Sequence, residues 1–234
     1  TLQDEIIEQI IVSLDIAVLR GERARLNRQS TDNLEAYEIH RRATELFYSS
    51  DAITCPNLEI YRDRIQEALE LDPGYSSAYV GMGRYYDETA LYGCRPPEES
   101  FRETVAWSNK AIEINPSDAE AYAFLSIAYM SLRDFDKFIE AGEKAFEVSP
   151  NNVSHLSVYG WGLTHVRQYE RAKLLIEKAL RLQPFHLAWW QNVRAMANFW
   201  LGDNQTALEA IESAYSRSPN HSYTLVYKAV ILSA

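Results

Sequence analysis

Five prolines, Pro73, Pro116, Pro150, Pro184 and Pro219, fall 43, 34, 34 and 35 residues apart along a chain of 234 residues. Proline supplies no amide hydrogen and pushes the residue before it out of helical geometry, so each one closes a helix. Between these stops the apolar residues recur with a helical period and do not alternate. Two helices per 34 residues cannot bury an apolar face alone; they must stack on the next pair. The spacing therefore predicts an all-α chain of stacked helical hairpins, an α-α solenoid.

The clearest unit is Ala119–Pro150. Its Tyr122, Leu125, Tyr129, Ala145 and Pro150 stand at the spacing W-x2-L-G-x2-Y…A-x3-F…P, and in this the chain resembles the tetratricopeptide repeat. Phe138 and Gly142 exchange the small and the aromatic residue of the second helix. The same pattern sets repeats at about 34–73, 76–116, 119–150, 153–184 and 187–219, with a final unpaired helix over 222–232. Residues 1–33 form an N-terminal segment. Ile6, Ile7, Ile10, Ile11 and Leu14 make an amphipathic helix, followed by an extended link (15–19) and a short helix (22–27). Ser30-Thr31-Asp32-Asn33 is a cluster of capping and turn residues that ends this segment. An enlarged turn is expected over Ser49–Asn57. Pro96-Pro97 predicts that an insertion of about nine residues projects as a loop before a helix over 101–114. Gly83, Gly160 and Ala172 are read as the small residues that let paired helices approach.

Composition narrows the function. The chain is 47% hydrophobic, enough for a core drawn out along a stack. With 23 basic against 33 acidic residues it carries −10, which excludes a nucleic-acid partner, since phosphates need a basic face. No apolar run reaches the length of a membrane span, and no signal peptide precedes the first helix. The start inside a helical pattern is read as that of a piece cut from a longer protein. There is no phosphate-binding loop, no paired Cys-x2-Cys and no Gly-x-Ser-x-Gly nucleophile turn. Gly81-x-Gly83 and Gly160-x-Gly162 lack a third glycine and lie in helices. The five histidines show no i, i+4 pair suited to a metal. No enzyme activity, cofactor or metal is expected of these residues.

The candidate site is the face lined by the first helix of each hairpin. It is expected to present Tyr37 and His40, then Arg84, then Ile127 and Met130. Trp161 and His165 follow from the fourth repeat, and Asn198 and Phe199 from the fifth. Trp161 is either an anchor for a bound helix or extended peptide, or a ring packed between neighbouring first helices. The cationic and asparagine residues with which some co-chaperone repeats clamp a peptide carboxylate are missing here. Cys55 and Cys94 both fall in enlarged turns of consecutive repeats. Two cysteines give no disulfide framework, so the expectation is two free thiols; the alternative is a disulfide formed in an oxidising compartment.

Leu2-Gln3-Asp4-Glu5-Ile6, the segment LRGERARLNRQSTDNLEAYEIHRRA (19–43), PEES (97–100) and PFHLAWWQ (184–191) carry a narrower resemblance. They are similar to the C-terminal repeat region of bacterial class III adenylate/guanylate cyclases and of related TolB-like and winged-helix regulators. That resemblance implies a regulatory module that binds a peptide or protein, or docks its own neighbouring domains, in the bacterial cytoplasm or in the periplasmic part of a membrane-linked protein. The alternative is a structural array for dimerisation or spacing. Ser222–Leu232 carries Leu225, Val226, Ala229, Val230 and Leu232, more apolar surface than one neighbour covers, with Val226, Val230 or Ile231 on its outer side. A homo-oligomer through this helix is therefore expected, unless further residues cap it.

Overall fold

The computed structural model describes residues 30–49 and 53–233, so the N-terminal helix, link and short helix expected before residue 30 lie outside it. Eleven α-helices and no strand occur among the described residues. They form five hairpins and one last helix, grouped into two compact units divided after Val148.

The first unit holds α1 (Leu34–Ser49), α2 (Cys55–Leu71), α3 (Ser76–Leu91), α4 (Pro97–Ile114), α5 (Ala119–Ser131) and α6 (Phe135–Val148). Asn33 starts α1 by accepting from the amides of Glu35 and Ala36, both at 3.1 Å. Pairs α1/α2, α3/α4 and α5/α6 are the hairpins; α2 against α3 and α4 against α5 join them. The first joint is aromatic. Tyr61 and Ile65 of α2 are buried with Tyr75, Ala78, Met82 and Tyr85. It is also tight: a Cβ on Gly81 would sit 3.1 Å from the Tyr61 hydroxyl and 3.2 Å from Ile65.

Two expectations are corrected here. The pair Pro96-Pro97 does not project as a loop: Pro96 caps α4 and Pro97 is its first residue, where a missing amide hydrogen costs nothing. The free-thiol expectation also fails, because Cys55 and Cys94 form a disulfide with their Cα atoms 5.5 Å apart. It ties the start of α2 to the loop after α3, 39 residues away. Around it Arg95 donates to the Tyr85 hydroxyl (3.0 Å) and Tyr85 donates to Glu59 (2.6 Å).

The second unit holds α7 (Val153–His165), α8 (Tyr169–Leu182), α9 (Ala188–Trp200), α10 (Asn204–Arg217) and α11 (Ser222–Leu232). Here α9 is the hub, packed on α7, α8, α10 and α11. One cluster of its core is aliphatic, Ala195, Ala207, Ala210, Ile211 and Ile231, with Phe199 and Tyr227 against it, while Trp190 and Tyr159 are buried elsewhere in the unit. Ile231 thus faces inward, whereas Leu225, Val226 and Leu232 remain exposed, Val226 at 58%.

The first helices of four hairpins turn into the second by one residue of left-handed backbone, two positions past the last helical residue. That residue is Gly93, Arg133, Arg167 or Gly202, with φ of 68°, 62°, 61° and 82°. Glycine adopts this conformation freely, while an arginine there is strained by roughly 1 kcal/mol.

Candidate functional site

The nine residues expected on the first-helix face divide between the units. In the first, Tyr37, Ile127 and Met130 are half-buried. His40 is only 3% exposed; its Nδ1 lies 2.8 Å from the Tyr75 hydroxyl, and the rings meet edge to face at 5.1 Å. That contact joins α1 to the residue capping α3, and the imidazole is directed into the core. Arg84 is occupied as well. With 12% of its side chain exposed, it forms an ion pair with Glu120 of α5. Its guanidinium also lies 5.7 Å from the Phe47 ring and 5.1 Å from the Phe124 ring. Arg84 therefore clasps α1, α3 and α5 together and has little left for a ligand.

One turn further along α3, Asp87 is 4% exposed and its Oδ1 has no hydrogen-bond partner among the described residues. Burial pushes its carboxyl up to about 7, the charge of Glu88 adds to this, and Arg84 opposes it. Burial likewise raises Glu88, and it raises Asp118, the cap of α5, to about 6. These are carboxylates in a dry joint. Among the described residues no group of three or more His, Cys, Asp or Glu is arranged to hold a metal.

In the second unit the face is aromatic. Trp161 is half-buried on α7, and the exposed His165 meets its ring edge-on at 4.5 Å. Burial raises the Tyr227 hydroxyl on α11, and the nearby Trp161 indole opposes this. Phe199 of α9 and Tyr227 of α11 are both half-buried against the alanine and isoleucine cluster of this unit. Asn198 is fully buried; its Nδ2 donates to the Arg194 carbonyl at 2.8 Å, and its Oδ1 has no partner among the described residues.

Tyr227 is the residue sequence reasoning left out. Shifted back along the repeats it falls on Asn192, Val158 and Phe124, so the register carries only one aromatic at that position. A second contact outside the expected face begins at His186. Its Nδ1 donates to the Pro184 carbonyl (2.9 Å), which leaves Nε2 to accept from the Gln191 carboxamide (2.9 Å). Burial and the charge of Arg217 hold this imidazole below its ordinary value, so it stays neutral. The Gln191 Oε1 is left without a partner among the described residues.

Stacked hairpins with half-open aromatic residues in the second unit, and no metal constellation among the described residues, define the class: an all-α helical-repeat array. The comparisons give this class its name. Residues 119–152 match the family model described as tetratricopeptide repeat. Superkiller protein 3 of Schizosaccharomyces pombe is 22% identical over 171 residues, 70% of this chain and 12% of its own length. Anaphase-promoting complex subunit 3 of the same yeast is 24% identical over 157 residues, 67% of this chain and 22% of its own. The chain thus spans under a quarter of these relatives. Among solved structures, that of YrrB, described as a TPR protein with an unusual peptide-binding site, has a TM-score of 0.56 at 20% identity, covering 82% of this chain and 90% of its own. The hetero-tetramer of Cut9 and Hcn1 contains a chain with a TM-score of 0.67 at 14% identity, covering 97% of this chain and 42% of its own. At such identities the likeness is one of fold: the chain shares the stacked-hairpin architecture of tetratricopeptide-repeat proteins, and one of its hairpins matches the repeat itself. No described helix is long and apolar enough to cross a membrane.

Proposed function

We propose that this chain is a protein-interaction module that takes a peptide or protein segment against the first helices of its second unit, with Trp161 as anchor. The observation that carries the reading is that three large rings of the second unit, Trp161, Phe199 and Tyr227, are half-buried and so not fully enclosed. Aromatic side chains in such positions supply most of the energy of recognition sites. The peptide-binding site in the description of YrrB agrees with this use of the fold.

The finer reading is a regulatory module of a bacterial nucleotide-cyclase-type signalling protein, where the bound segment belongs to a partner or to a neighbouring domain. It rests on the LQDEI, NLEAYE and PFHLAWWQ words. The Cys55–Cys94 disulfide favours the periplasmic over the cytoplasmic setting, since such bonds persist where the medium is oxidising. Thiol titration of unreduced protein checks this; two reactive thiols would return the module to the cytoplasm.

The test of binding is selection of a displayed random-peptide library on the parent and on Trp161→Ala. Sequences enriched on the parent should be lost on the variant. Equal enrichment on both would remove the anchor.

A second reading, self-association through α11, is favoured by the exposed Leu225, Val226 and Leu232. Light scattering on the parent and on the triple change to glutamine decides it. A parent that stays monomeric at high concentration removes this reading.

A further inference from the structure

A depression of about 810 Å3 opens in the first unit between the start of α4 and the turn from α5 to α6. None of the nine expected site residues lines it. Its apolar wall is made by Phe101 and Val105 of α4 with Tyr129 and Leu132 on the opposite side. Three cations reach it, and two are already matched: Arg102 by Glu98 at 2.8 Å and Lys137 by Asp134 at 2.9 Å. Arg133 has no ion-pair partner among the described residues.

Arg133 holds the left-handed turn position at φ 62°, which Gly93 and Gly202 fill in two other turns. Arg167 shows that the turn accepts an arginine as well as a glycine; what sets Arg133 apart is that its side chain lines the depression. The guanidinium is an unmatched positive charge beside an apolar hollow, in a chain whose net charge is −10. A cavity of this size accepts one or two large side chains.

We propose that this depression binds a peptide segment in which a large aliphatic residue neighbours a carboxylate. The aliphatic group fills the hollow between Phe101 and Leu132, and the carboxylate takes the fork of the Arg133 guanidinium. The site is separate from the aromatic face of the second unit and does not depend on it.

The experiment titrates the whole 15N-labelled chain with acetyl-Leu-Glu-Leu-amide and, in parallel, with acetyl-Leu-Lys-Leu-amide, following the amides of Phe101, Leu132 and Arg133. The acidic peptide should give saturable shifts at these positions and bind about tenfold more tightly than the basic one, a difference of about 1.4 kcal/mol. Arg133→Gly should cost the acidic peptide about the same factor while the melting temperature holds or rises, because glycine relieves the turn. Arg133→Lys, which keeps the charge and loses the fork, should fall between the two. Equal affinity for both peptides, no shift at these amides at millimolar peptide, or full binding by Arg133→Gly would each overturn the proposal.

Discussion

The two units use one hairpin grammar and hold themselves together differently. In the first, α3 is gripped from several sides. Tyr61 and Ile65 crowd Gly81, Arg84 reaches Glu120 between two phenyl rings, and a disulfide fastens the loop that follows. In the second, no disulfide is present, the core around α9 combines alanine and isoleucine with the buried Trp190, and Trp161, Phe199 and Tyr227 lie half-open. A cross-braced joint leaves its first-helix residues committed to one another. A joint without such braces leaves part of its aromatic surface available. The difference explains why Arg84 and His40 act as structure, and why Trp161 and Phe199 are the better candidates for contact with a partner.

Removing the brace should have the largest effect. Cys55→Ser/Cys94→Ser opens a loop of 39 residues and should destabilise the first unit by about 2–4 kcal/mol. Hydrogen exchange read helix by helix should show the loss over α1 to α4 and none over α9 to α11. An equal loss in both units would mean that the two are not separately held.

The pH response should then split them. Asp87 has a folded value near 7 against an ordinary 3.8, so between those values only the folded chain keeps the proton. Its contribution to stability is therefore present at low pH and lost as pH rises through 7. Glu88 and Asp118 act in the same sense. His186 runs the other way: held below 6.5, it is protonated more readily in the unfolded chain, so the second unit weakens as pH falls below 6.5. A protonated Nε2 would also face the Gln191 amide hydrogens. The partly exposed carboxylates Glu38, Asp134 and Asp203 oppose the trend in Asp87, but solvent screening makes them minor. Asp87→Asn should accordingly stabilise the first unit by on the order of 2 kcal/mol at pH 8, fading towards pH 5. A stabilisation independent of pH would contradict the assignment.

Much of this architecture was legible from the chain alone, and the reason is mechanical. Proline stops and a helical period are local facts, and hairpins follow from them without knowledge of distant contacts. What was not legible depends on apposition. The Cys55–Cys94 bond requires two loops to meet, and no spacing of two cysteines encodes that. Pro96-Pro97 was read as a breaker because its exclusion from helix interiors hides its fitness for the first helical turn. On the candidate face, His40, Arg84 and Asn198 occupy the expected positions, yet neighbouring helices bury or engage them. A repeat register places a residue on a face without saying how closely the next helix covers it. The register that places Trp161 on a first helix ends before Tyr227, which belongs to the unpaired last helix α11.

A smaller comparison lies within the two Gly-x-Gly pairs. A methyl at Gly81 would press on Tyr61 and Ile65, but one at Gly160 would meet nothing nearer than the Ala172 carbonyl at 3.5 Å, an ordinary contact. Gly81→Ala should therefore lose about 1 kcal/mol after its gain in helix propensity, and Gly160→Ala should gain up to about 1 kcal/mol. Thermal melts settle both signs, and a gain at Gly81 would show that the α2–α3 joint is looser than described.

The account's central claim is that the first unit's face is structural and the second unit's face is the one that binds. It is tested most directly by measuring, on Arg84→Ala and Trp161→Ala side by side, the melting temperature and the affinity for a peptide selected on the parent. Arg84→Ala should lose about 2 kcal/mol of stability, because Glu120 is left without its partner in a partly buried site, and should keep parental affinity. Trp161→Ala should melt within a few degrees of the parent and lose at least about tenfold in affinity. The opposite pairing, with binding lost at Arg84 and stability lost at Trp161, would contradict the account.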